Sequence, residues 1–378
     1  MKKIIIVTTV PLSVSTLIKG QARYLSQFFN VKIVTSYSDK NKEISDYEGV
    51  TIKSIDMTRK ITIFKDLKAL YQIYSYFLLE KPDIVYTFTP KAGLLGMIAS
   101  FLSRVPVRIH NIVGMPLMES RGSKRILLKF IERLTYFFST QLFCNSFGLR
   151  DYVKAHLTKR DIKVIAQGSI NGVDSDHFHN ILSREEKSEL RQKYQINDKD
   201  FVLIFVGRIV RDKGINELIE SFVSLKKRHL NLKLLLVGDY EEHLNPINGE
   251  NLEIIKNSND IITVGFQNDI RNFLAMSDLF VLPSYREGLP NSLIEAGSYG
   301  IPLVATNING CNEIVLEGET GLLVEKNSVD GLINAIELLL SDKILYDKIK
   351  SSVRGLTIKR YSQEFFLNEL RHEIENSF

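Results

Sequence analysis

The second half of the chain carries two basic side chains directly after an apolar run that reads as a strand. The segment 207–214 has the sequence G-R-I-V-R-D-K-G, in which Gly207 permits a close turn and Arg208 and Lys213 follow. Cations fixed at a strand end stabilise the negative charge that develops on a departing phosphate group. Taken alone, the segment also fits a solvated basic loop.

Two acidic side chains stand at the ends of a second segment, 287–295, with the sequence E-G-L-P-N-S-L-I-E. Ionised carboxylates are strong acceptors for hydrogen bonds. One of the two carboxylates, Glu287 or Glu295, therefore suits hydroxyl groups of a sugar and the other those of a ribose. A plain helix with two surface glutamates is the alternative for this segment alone. In combination with the basic segment 207–214, the segment 287–295 predicts a site for a diphosphate that carries sugar hydroxyls.

The start of a helix lies between these two glutamates. Leu289 and Pro290 lead into an apolar helical pattern, and Pro290 and Asn291 are residue types favoured where helices begin. The first turn of a helix has backbone N–H groups without partners and readily binds phosphate. The sequence predicts such groups at Asn291, Ser292 and Leu293.

Short Ile- and Val-rich runs alternate with helical patterns along the chain. This alternation predicts two sheets of parallel strands, which would position the residues named above. The predicted strands of the first half are 3–8, 31–35, 50–55, 83–87, 107–111, 142–145 and 163–166, with helices at 17–29, 64–80, 92–102 and 123–139. Those of the second half are 201–206, 233–237, 261–264, 279–282, 302–305 and 321–324, with helices at 184–194, 215–228, 269–276, 291–299 and 329–340.

The pattern predicts an α/β protein with two doubly wound, Rossmann-like domains. The predicted boundaries are 1–168 and 169–360, and the final helix, 361–378, is expected to pack back on the first domain. A cleft between two such domains is the usual place for a substrate.

Composition limits the classes of protein that fit. The chain has 378 residues, of which 44% are hydrophobic and 25% charged, so it can bury two ordinary cores. The only cysteines, Cys144 and Cys311, form no zinc-binding spacing, and the low cysteine content fits a reducing cytoplasm. We expect the protein to use neither a metal nor a cofactor. No apolar window has the length of a membrane span.

The ordered combination of motifs resembles glycosyltransferase family 4, the retaining enzymes with the GT-B fold. The matching segments are G-R-x-x-x-x-K-G at 207–214, V-G-D at 237–239, V-G-F at 264–266, the E-x7-E motif at 287–295, P-L-V-A-T at 302–306 and E-T-G-L-L-V at 319–324. The resemblance implies that the second domain binds a nucleotide-diphosphate sugar. Arg208 and Lys213 would contact the diphosphate, Glu287 the donor sugar and Glu295 the ribose. The loop containing Phe266 would flank the base.

The first domain matches this family more loosely. Where many members have a Gly-Gly turn, residues 10–15 read V-P-L-S-V-S, with Gly20 further along. The segment 108–115 resembles transferases of capsule, O-antigen and lipid-linked oligosaccharide assembly. Within it, His110 is expected at a strand end that faces the cleft. It has two open roles: to orient the acceptor or bond the donor sugar, or to serve as a structural histidine.

Residues 121–133 form a basic patch within a helix that also has apolar residues. The cations are Arg121, Lys124, Arg125, Lys129 and Arg133. An amphipathic helix of this kind can lie on a bilayer with anionic headgroups. Alternatively, its apolar face is core and the cations only solvate the other face. The resemblance favours peripheral binding at the inner face of the cell membrane. Nucleic acid is not expected, because stacking aromatics do not alternate with the cations.

The expected activity is transfer of a sugar from a nucleotide-diphosphate donor to a saccharide acceptor with retention of configuration. The resemblance implies a UDP-linked donor, with guanosine still open, and a polyprenyl-diphosphate-linked acceptor in bacterial surface polysaccharide synthesis. A GT-B sugar-nucleotide epimerase and a non-catalytic nucleotide-sugar-binding partner are the alternatives. Hydrolysis by a carboxylate pair is disfavoured, because Glu295 lies inside the helix.

Overall fold

A computed structural model describes residues 1–58, 62–114, 117, 120, 122–179, 182–241 and 245–378. Met115 of the predicted 108–115 segment and Arg121 of the basic patch lie outside these residues. The strands are β1 (Lys3–Val7), β2 (Asn30–Thr35), β3 (Thr51–Ser54), β4 (Ile84–Phe88), β5 (Val107–Ile112), β6 (Gln141–Cys144), β7 (Lys163–Val164), β8 (Phe201–Val206), β9 (Leu232–Val237), β10 (Ile261–Thr263), β11 (Leu279–Leu282), β12 (Leu303–Thr306) and β13 (Gly321–Val324).

The α-helices alternate with these strands along most of the chain. They are α1 (Pro11–Thr16), α2 (Gln21–Leu25), α3 (Asn41–Glu48), α4 (Ile63–Glu80), α5 (Pro90–Leu102), α6 (Gly122–Phe138), α7 (Phe147–His156), α8 (Arg184–Lys193), α9 (Ile215–Lys226), α10 (Gly249–Asn257), α11 (Arg271–Met276), α12 (Asn291–Tyr299), α13 (Cys311–Ile314), α14 (Val329–Ser341), α15 (Lys343–Tyr361) and α16 (Gln363–Glu375).

The chain forms two compact units. Unit 1 contains Met1–Gly172 and Gln363–Phe378, and unit 2 contains Val173–Ser362. Each unit has one sheet, and all the strand pairings of both sheets are parallel. The predicted doubly wound α/β architecture is confirmed.

The sheet of unit 1 has the order β3-β2-β1-β4-β5-β6-β7. Its strands are apolar without polar alternation because both faces are covered. In β1, Ile4 and Ile6 join the core that includes residues of α2 and α16. Ile5 and Val7 point to the opposite face and join the core with α4 and α5. Successive side chains of one strand therefore supply two cores.

The sheet of unit 2 has the order β10-β9-β8-β11-β12-β13. Strand order reverses between β8 and β11, which are neighbours in space although two strands separate them in sequence. In open α/β sheets, ligands bind outside the carboxyl ends of the strands at such a reversal. The loops after β8 and β11, which carry 207–214 and 287–290, leave the sheet at this point.

The single helix predicted for 17–29 is wrong. Within 17–29, all of which the structure describes, only Gln21–Leu25 form a helix, α2, and it begins after Gly20, which has a left-handed φ of 81°. The Gly20 N–H donates to the carboxylate of Glu48 at 2.6 Å, rather than continuing a helix. The prediction also missed α1, α3, α7, α10 and α13, because each has ten residues or fewer and is too short to show a clear apolar repeat at helical spacing.

The last two helices, α15 and α16, belong to different units. In unit 2, α15 ends at Tyr361, whose carbonyl accepts the N–H of Val173 at 2.7 Å. After Ser362, α16 belongs to unit 1, where Phe366, Leu370 and Ile374 are buried in the core.

Gly214 lets the loop after β8 lie directly against the loop after β11. It has a left-handed φ of 72° and is the N-cap of α9. A Cβ atom at this position would lie 2.0 Å from the carbonyl oxygen of Pro283, a main-chain atom that cannot rotate away. Only glycine therefore fits this contact.

We expect Gly214→Ala to lower the free energy of unfolding of unit 2 by about 2–4 kcal/mol, because strain at positive φ adds to the clash with Pro283. Gly318→Ala is the matched control. Gly318 also has a left-handed φ, 68°, but its Cβ would meet nothing within 4 Å. This control should cost only about 1 kcal/mol. Urea unfolding of both variants measures the difference, and equal losses would show that the contact with Pro283 is unimportant.

Candidate functional site

Asp212 links the loops that follow β8, β9 and β11 by hydrogen bonds. Its main-chain carbonyl accepts the N–H of Tyr285 at 2.9 Å. Its carboxylate accepts hydrogen bonds from Arg286 at 2.5 Å and from the side-chain amide of Asn245 at 2.8 Å. The Arg211 N–H donates to the Asn245 carbonyl at 3.0 Å. The two motif segments named from the sequence, 207–214 and 287–295, are therefore neighbours through their loops.

Lys213 and Glu287 form an ion pair, with 2.5 Å between Nζ and Oε1. Both side chains are largely buried, with exposed fractions of 19% and 11%. The sequence predicted each as a separate ligand contact and did not predict that they pair. Cys311, at the start of α13, is buried close to them, and burial, followed by the negative charge of Glu287, raises the pKa of its thiol.

Arg208 makes a different contact. Its guanidinium is half exposed and pairs with the carboxylate of Glu241 at 2.7 Å. Glu241 was not identified from the sequence, although it follows the V-G-D segment that was. The two cations predicted to bind diphosphate thus each have a carboxylate partner, one in a largely buried place and one near solvent.

The V-G-D segment connects the loop after β9 to the loop after β10. The N–H of Gly238 donates to the Gly265 carbonyl and the N–H of Phe266 to the Asp239 carboxylate, both at 2.9 Å. These bonds fix the main chain while the ring of Phe266 remains exposed. Gly207 donates its N–H to the Val237 carbonyl at 2.9 Å, which continues the pairing of β8 with β9.

The first turn of α12 differs from the prediction in one donor. Pro290 is the N-cap, in an extended conformation, and Leu289 is buried beside it. The N–H of Leu293 donates to the Pro290 carbonyl at 3.1 Å, so Leu293 has no unpaired donor, in contrast to the prediction. Within the described residues, the N–H groups of Asn291 and Ser292 donate to no acceptor. Two donors therefore remain at this helix start.

Glu295 lies further along α12 and is half buried. Burial raises the pKa of its carboxyl to about 7. Over the part of the chain that the structure describes, no cation pairs with it. The neutral and ionised forms of the Glu295 carboxyl are therefore about equally populated near pH 7.

His110 lies within β5 in the interior of unit 1, two residues before the strand ends. Its Nδ1 is 2.9 Å from the Thr87 hydroxyl, and burial lowers the pKa of the ring to about 3. The ring lies directly beneath Gly93 of α5, where a Cβ would meet it at 2.4 Å. These contacts favour the structural of the two roles, with a neutral imidazole.

The departure from the Gly-Gly turn has a structural counterpart. Pro11 starts α1 soon after β1, and the next helix start, at Gly20, is occupied by the buried carboxylate of Glu48. Glu48 also accepts the N–H of Arg23 at 3.1 Å. Burial raises its pKa, and these backbone hydrogen bonds oppose the rise. The Glu48 carboxylate thus accepts the backbone N–H groups at the start of α2.

The basic patch lies on α6, and the apolar residues of this helix are not all core. Its buried residues are Glu132, Thr135 and Tyr136. Large apolar side chains point to solvent instead, at Ile126, Leu127, Phe130 and Phe137, and Phe130 is 62% exposed. The cations Lys124, Arg125 and Arg133 are exposed, and Lys129 is partly exposed.

Two arginines hold the carboxyl end of α6. Arg108 donates to the Phe138 carbonyl at 2.7 Å, and Arg160 donates to the carbonyls of Tyr136 and Ser139. Cations at this end complement the helix dipole. No described helix is both long and apolar enough to cross a membrane. No group of three or more His, Cys, Asp or Glu residues in the described ranges is placed to hold a metal ion.

Comparison with known proteins agrees with these motifs. The model of the family "Glycosyl transferases group 1" matches residues 186–355, and that of "Glycosyl transferase 4-like" matches residues 7–146. A capsular polysaccharide biosynthesis glycosyltransferase of Staphylococcus aureus is 34% identical over 374 residues, 98% of this chain and 96% of that protein. The UDP-Gal:alpha-D-GlcNAc-diphosphoundecaprenol alpha-1,3-galactosyltransferase of Escherichia coli is 30% identical over 309 residues, 80% and 78% of the two chains.

Solved structures share the fold at low sequence identity. HepE of Anabaena, crystallised with UDP, superposes over the whole of both chains with a TM-score of 0.82 at 20% identity. A glycosyltransferase of Rickettsia africae covers 100% of this chain and 98% of its own, with a TM-score of 0.81 at 22% identity. With its two parallel sheets, its motifs and a relative matched along nearly its full length, the chain belongs to the family 4 glycosyltransferases of the GT-B fold.

Proposed function

We propose that this glycosyltransferase moves a sugar, with retention of configuration, from a UDP-linked donor to a saccharide on a polyprenyl diphosphate during synthesis of a bacterial surface polysaccharide. The observation that carries the proposal is the meeting of the Arg208–Lys213 loop with the loop that leads into α12. Two cations and two unpaired backbone donors suit a diphosphate.

The relatives support the choice of substrates. The name of the Escherichia coli relative specifies UDP-galactose and a diphosphoundecaprenol-linked acceptor. A Campylobacter jejuni relative, 27% identical over 335 residues, is named for transfer to N,N'-diacetylbacillosaminyl-diphospho-undecaprenol. The Anabaena fold relative was crystallised with UDP and with UDP-glucose.

In the proposed reaction, Lys213 and Arg208 stabilise the charge that builds on the UDP leaving group as the glycosidic bond breaks. Glu287 has two tasks. It holds the Lys213 ammonium in place by their ion pair, and its carboxylate accepts hydroxyl hydrogen bonds of the donor sugar. Glu295 accepts from the ribose, and Phe266 flanks the base. The acceptor hydroxyl attacks on the same face as the leaving group, with the phosphate as base and without a metal.

The acceptor places the enzyme at a lipid surface, and α6 is the proposed contact. Its large apolar side chains at Ile126, Leu127, Phe130 and Phe137 are exposed, and the cations beside them complement anionic headgroups. The proposed location of the protein is therefore the inner face of the cell membrane.

The test of the proposal is transfer itself. A panel of nucleotide sugars is screened for thermal stabilisation of the protein, because a ligand that binds the folded state raises its apparent stability. The stabilising donor is then incubated with N-acetylglucosaminyl-diphosphoundecaprenol, and NMR of the product gives the anomeric configuration. A product formed without acceptor would instead support the epimerase alternative. No product, with Arg208→Ala and Glu287→Ala harmless in the cell, would support a binding partner.

Glu241 competes with diphosphate for Arg208, which predicts opposite effects of two substitutions. We expect Arg208→Ala to weaken UDP binding by about tenfold or more, the value of a charged hydrogen bond. Glu241→Gln should strengthen it by about two- to fivefold, as for an exposed ion pair. In the Arg208→Ala background this gain should shrink. Calorimetry with UDP measures all four proteins.

Glu253→Gln is the control for this cycle, since it removes an exposed carboxylate of α10 in the same unit. An equal gain from Glu253→Gln would reduce the Glu241 effect to net charge. Unchanged binding in Arg208→Ala would contradict the role of Arg208 itself.

The raised pKa of Glu295 predicts that UDP affinity depends on pH. Below about pH 7 its carboxyl is mainly neutral and above it mainly ionised. Because an ionised carboxylate is the stronger acceptor for ribose hydroxyls, affinity should increase by about three- to tenfold between about pH 6 and pH 8. Titration of the UDP phosphate contributes equally in Glu295→Gln, so the difference between the two proteins isolates Glu295. Parallel pH profiles would refute its contact with ribose.

Removal of two exposed rings from α6 should weaken membrane binding without loss of stability. For Phe130→Ser with Phe137→Ser, we expect at least about a tenfold weaker partition onto vesicles of phosphatidylcholine and phosphatidylglycerol. Leu230→Ser, at an equally exposed site of unit 2, is the control. Vesicle sedimentation measures binding, and phosphatidylcholine alone should bind less. If both variants bind like the parent protein, α6 is not the contact.

A further inference from the structure

A small cavity lies at the carboxyl edge of the sheet of unit 1, beyond the ends of β4 and β5. Its volume is about 10 Å³, and the described residues that line it are Thr89, Pro90, His110, the segment 111–114 and Glu132 of α6. A space of this size accommodates about one water molecule or one hydroxyl group. It adjoins the reversal of strand order at β1 and β4, the region where open α/β sheets bind ligands.

Glu132 is an unusual residue to place in this cavity wall. Its side chain is only 5% exposed, and it is on the core-facing side of α6. Among the described residues no cation forms an ion pair with it. Burial raises the pKa of its carboxyl to about 7. A buried carboxyl group without a cation is costly to ionise, so near neutral pH it keeps its proton for much of the time.

The groups beside Glu132 are polar but uncharged. His110 is neutral because burial lowers its pKa to about 3. The Tyr136 hydroxyl is buried next to Glu132, and its interaction with the Glu132 carboxyl opposes part of the rise in the pKa of that carboxyl. Burial is also the main cause that raises the pKa of this hydroxyl. Donors and acceptors are thus present without a cation, which suits a neutral hydroxyl group and disfavours a phosphate.

We propose that the cavity bounded by Glu132, His110 and Thr89 receives one hydroxyl group of the acceptor saccharide, and that Glu132 determines acceptor specificity through a hydrogen bond to it. This inference rests on the proposed function, in which unit 1 binds the acceptor. The carboxyl group can donate to and accept from a sugar hydroxyl. A sugar without that hydroxyl leaves buried polar groups unpaired, which is the strongest form of discrimination available to a binding site.

Two substitutions of similar size separate hydrogen bonding from shape. Glu132→Gln keeps a donor and an acceptor, and Glu132→Leu removes both. With N-acetylglucosaminyl-diphosphoundecaprenol as acceptor, Glu132→Leu should raise the acceptor KM about tenfold, the value of a buried hydrogen bond, while Glu132→Gln stays within about threefold. The kcat at saturating acceptor and the Kd for UDP should remain unchanged in both. Since leucine removes a buried acid that no described cation balances, Tm should not fall.

Monodeoxy versions of the same acceptor identify the hydroxyl. One of them should react about tenfold less efficiently than the parent acceptor with the unsubstituted enzyme, and equally well with Glu132→Leu. Thr135→Val is the control for packing of α6, because Thr135 is buried and its hydroxyl donates to the Ile131 carbonyl of the same helix. It should match the unsubstituted enzyme.

The proposal is overturned if Glu132→Leu lowers kcat without a change in KM, or if no monodeoxy acceptor distinguishes the two enzymes. Saturation-transfer NMR with methyl N-acetyl-α-glucosaminide reports binding without turnover. Equal signals from the enzyme and Glu132→Leu would also overturn it. Specific binding in this experiment without transfer would contradict the proposed function instead.

Discussion

Close contacts between main-chain atoms at the carboxyl edge of the second sheet are the constraint on which the proposed donor site depends. A Cβ at Gly238 would lie 1.9 Å from the carbonyl oxygen of Gly207, and one at Gly214 would meet the carbonyl of Pro283. The loops after β8, β9 and β11 can therefore approach each other only because these residues lack side chains. Asp212 then fixes their relative positions, since it bonds to Arg286 and to Asn245. The main chain of these loops therefore determines where the side chains of Lys213 and Glu287 lie.

The charges at this edge are balanced within the protein. Lys213 and Glu287 pair where water is largely excluded, so their geometry is well defined and either partner alone would be costly to bury. Arg208 and Glu241 pair near solvent, where an ion pair contributes little and exchanges partners readily. The first pair is suited to hold a fixed shape. The second is suited to release its cation to an incoming anion.

The sequence predicts the architecture and the segments of the site because both depend on local patterns. The apolar run of β8 and the motif after it need no knowledge of distant residues. Pairings between distant residues have no such pattern: neither the contact of Arg208 with Glu241 nor that of Gly20 with Glu48 follows from spacing. His110 lies in an apolar strand, yet its depth depends on the absence of a side chain at Gly93. The apolar residues of α6 fit a helix, but whether they face core or solvent is decided by what packs against them.

The passage of α16 into unit 1 has a consequence for the order in which the protein matures. Phe366, Leu370 and Ile374 are part of the same core as Ile4 and Ile6. During synthesis, the intervening residues of unit 2 leave the ribosome before this helix exists. Domains generally fold as units in the order of their synthesis. Unit 1, whose synthesis begins first, is completed last, when α16 has been made. Until then, the part of its apolar core that α16 covers stays exposed to chaperones and to other nascent chains.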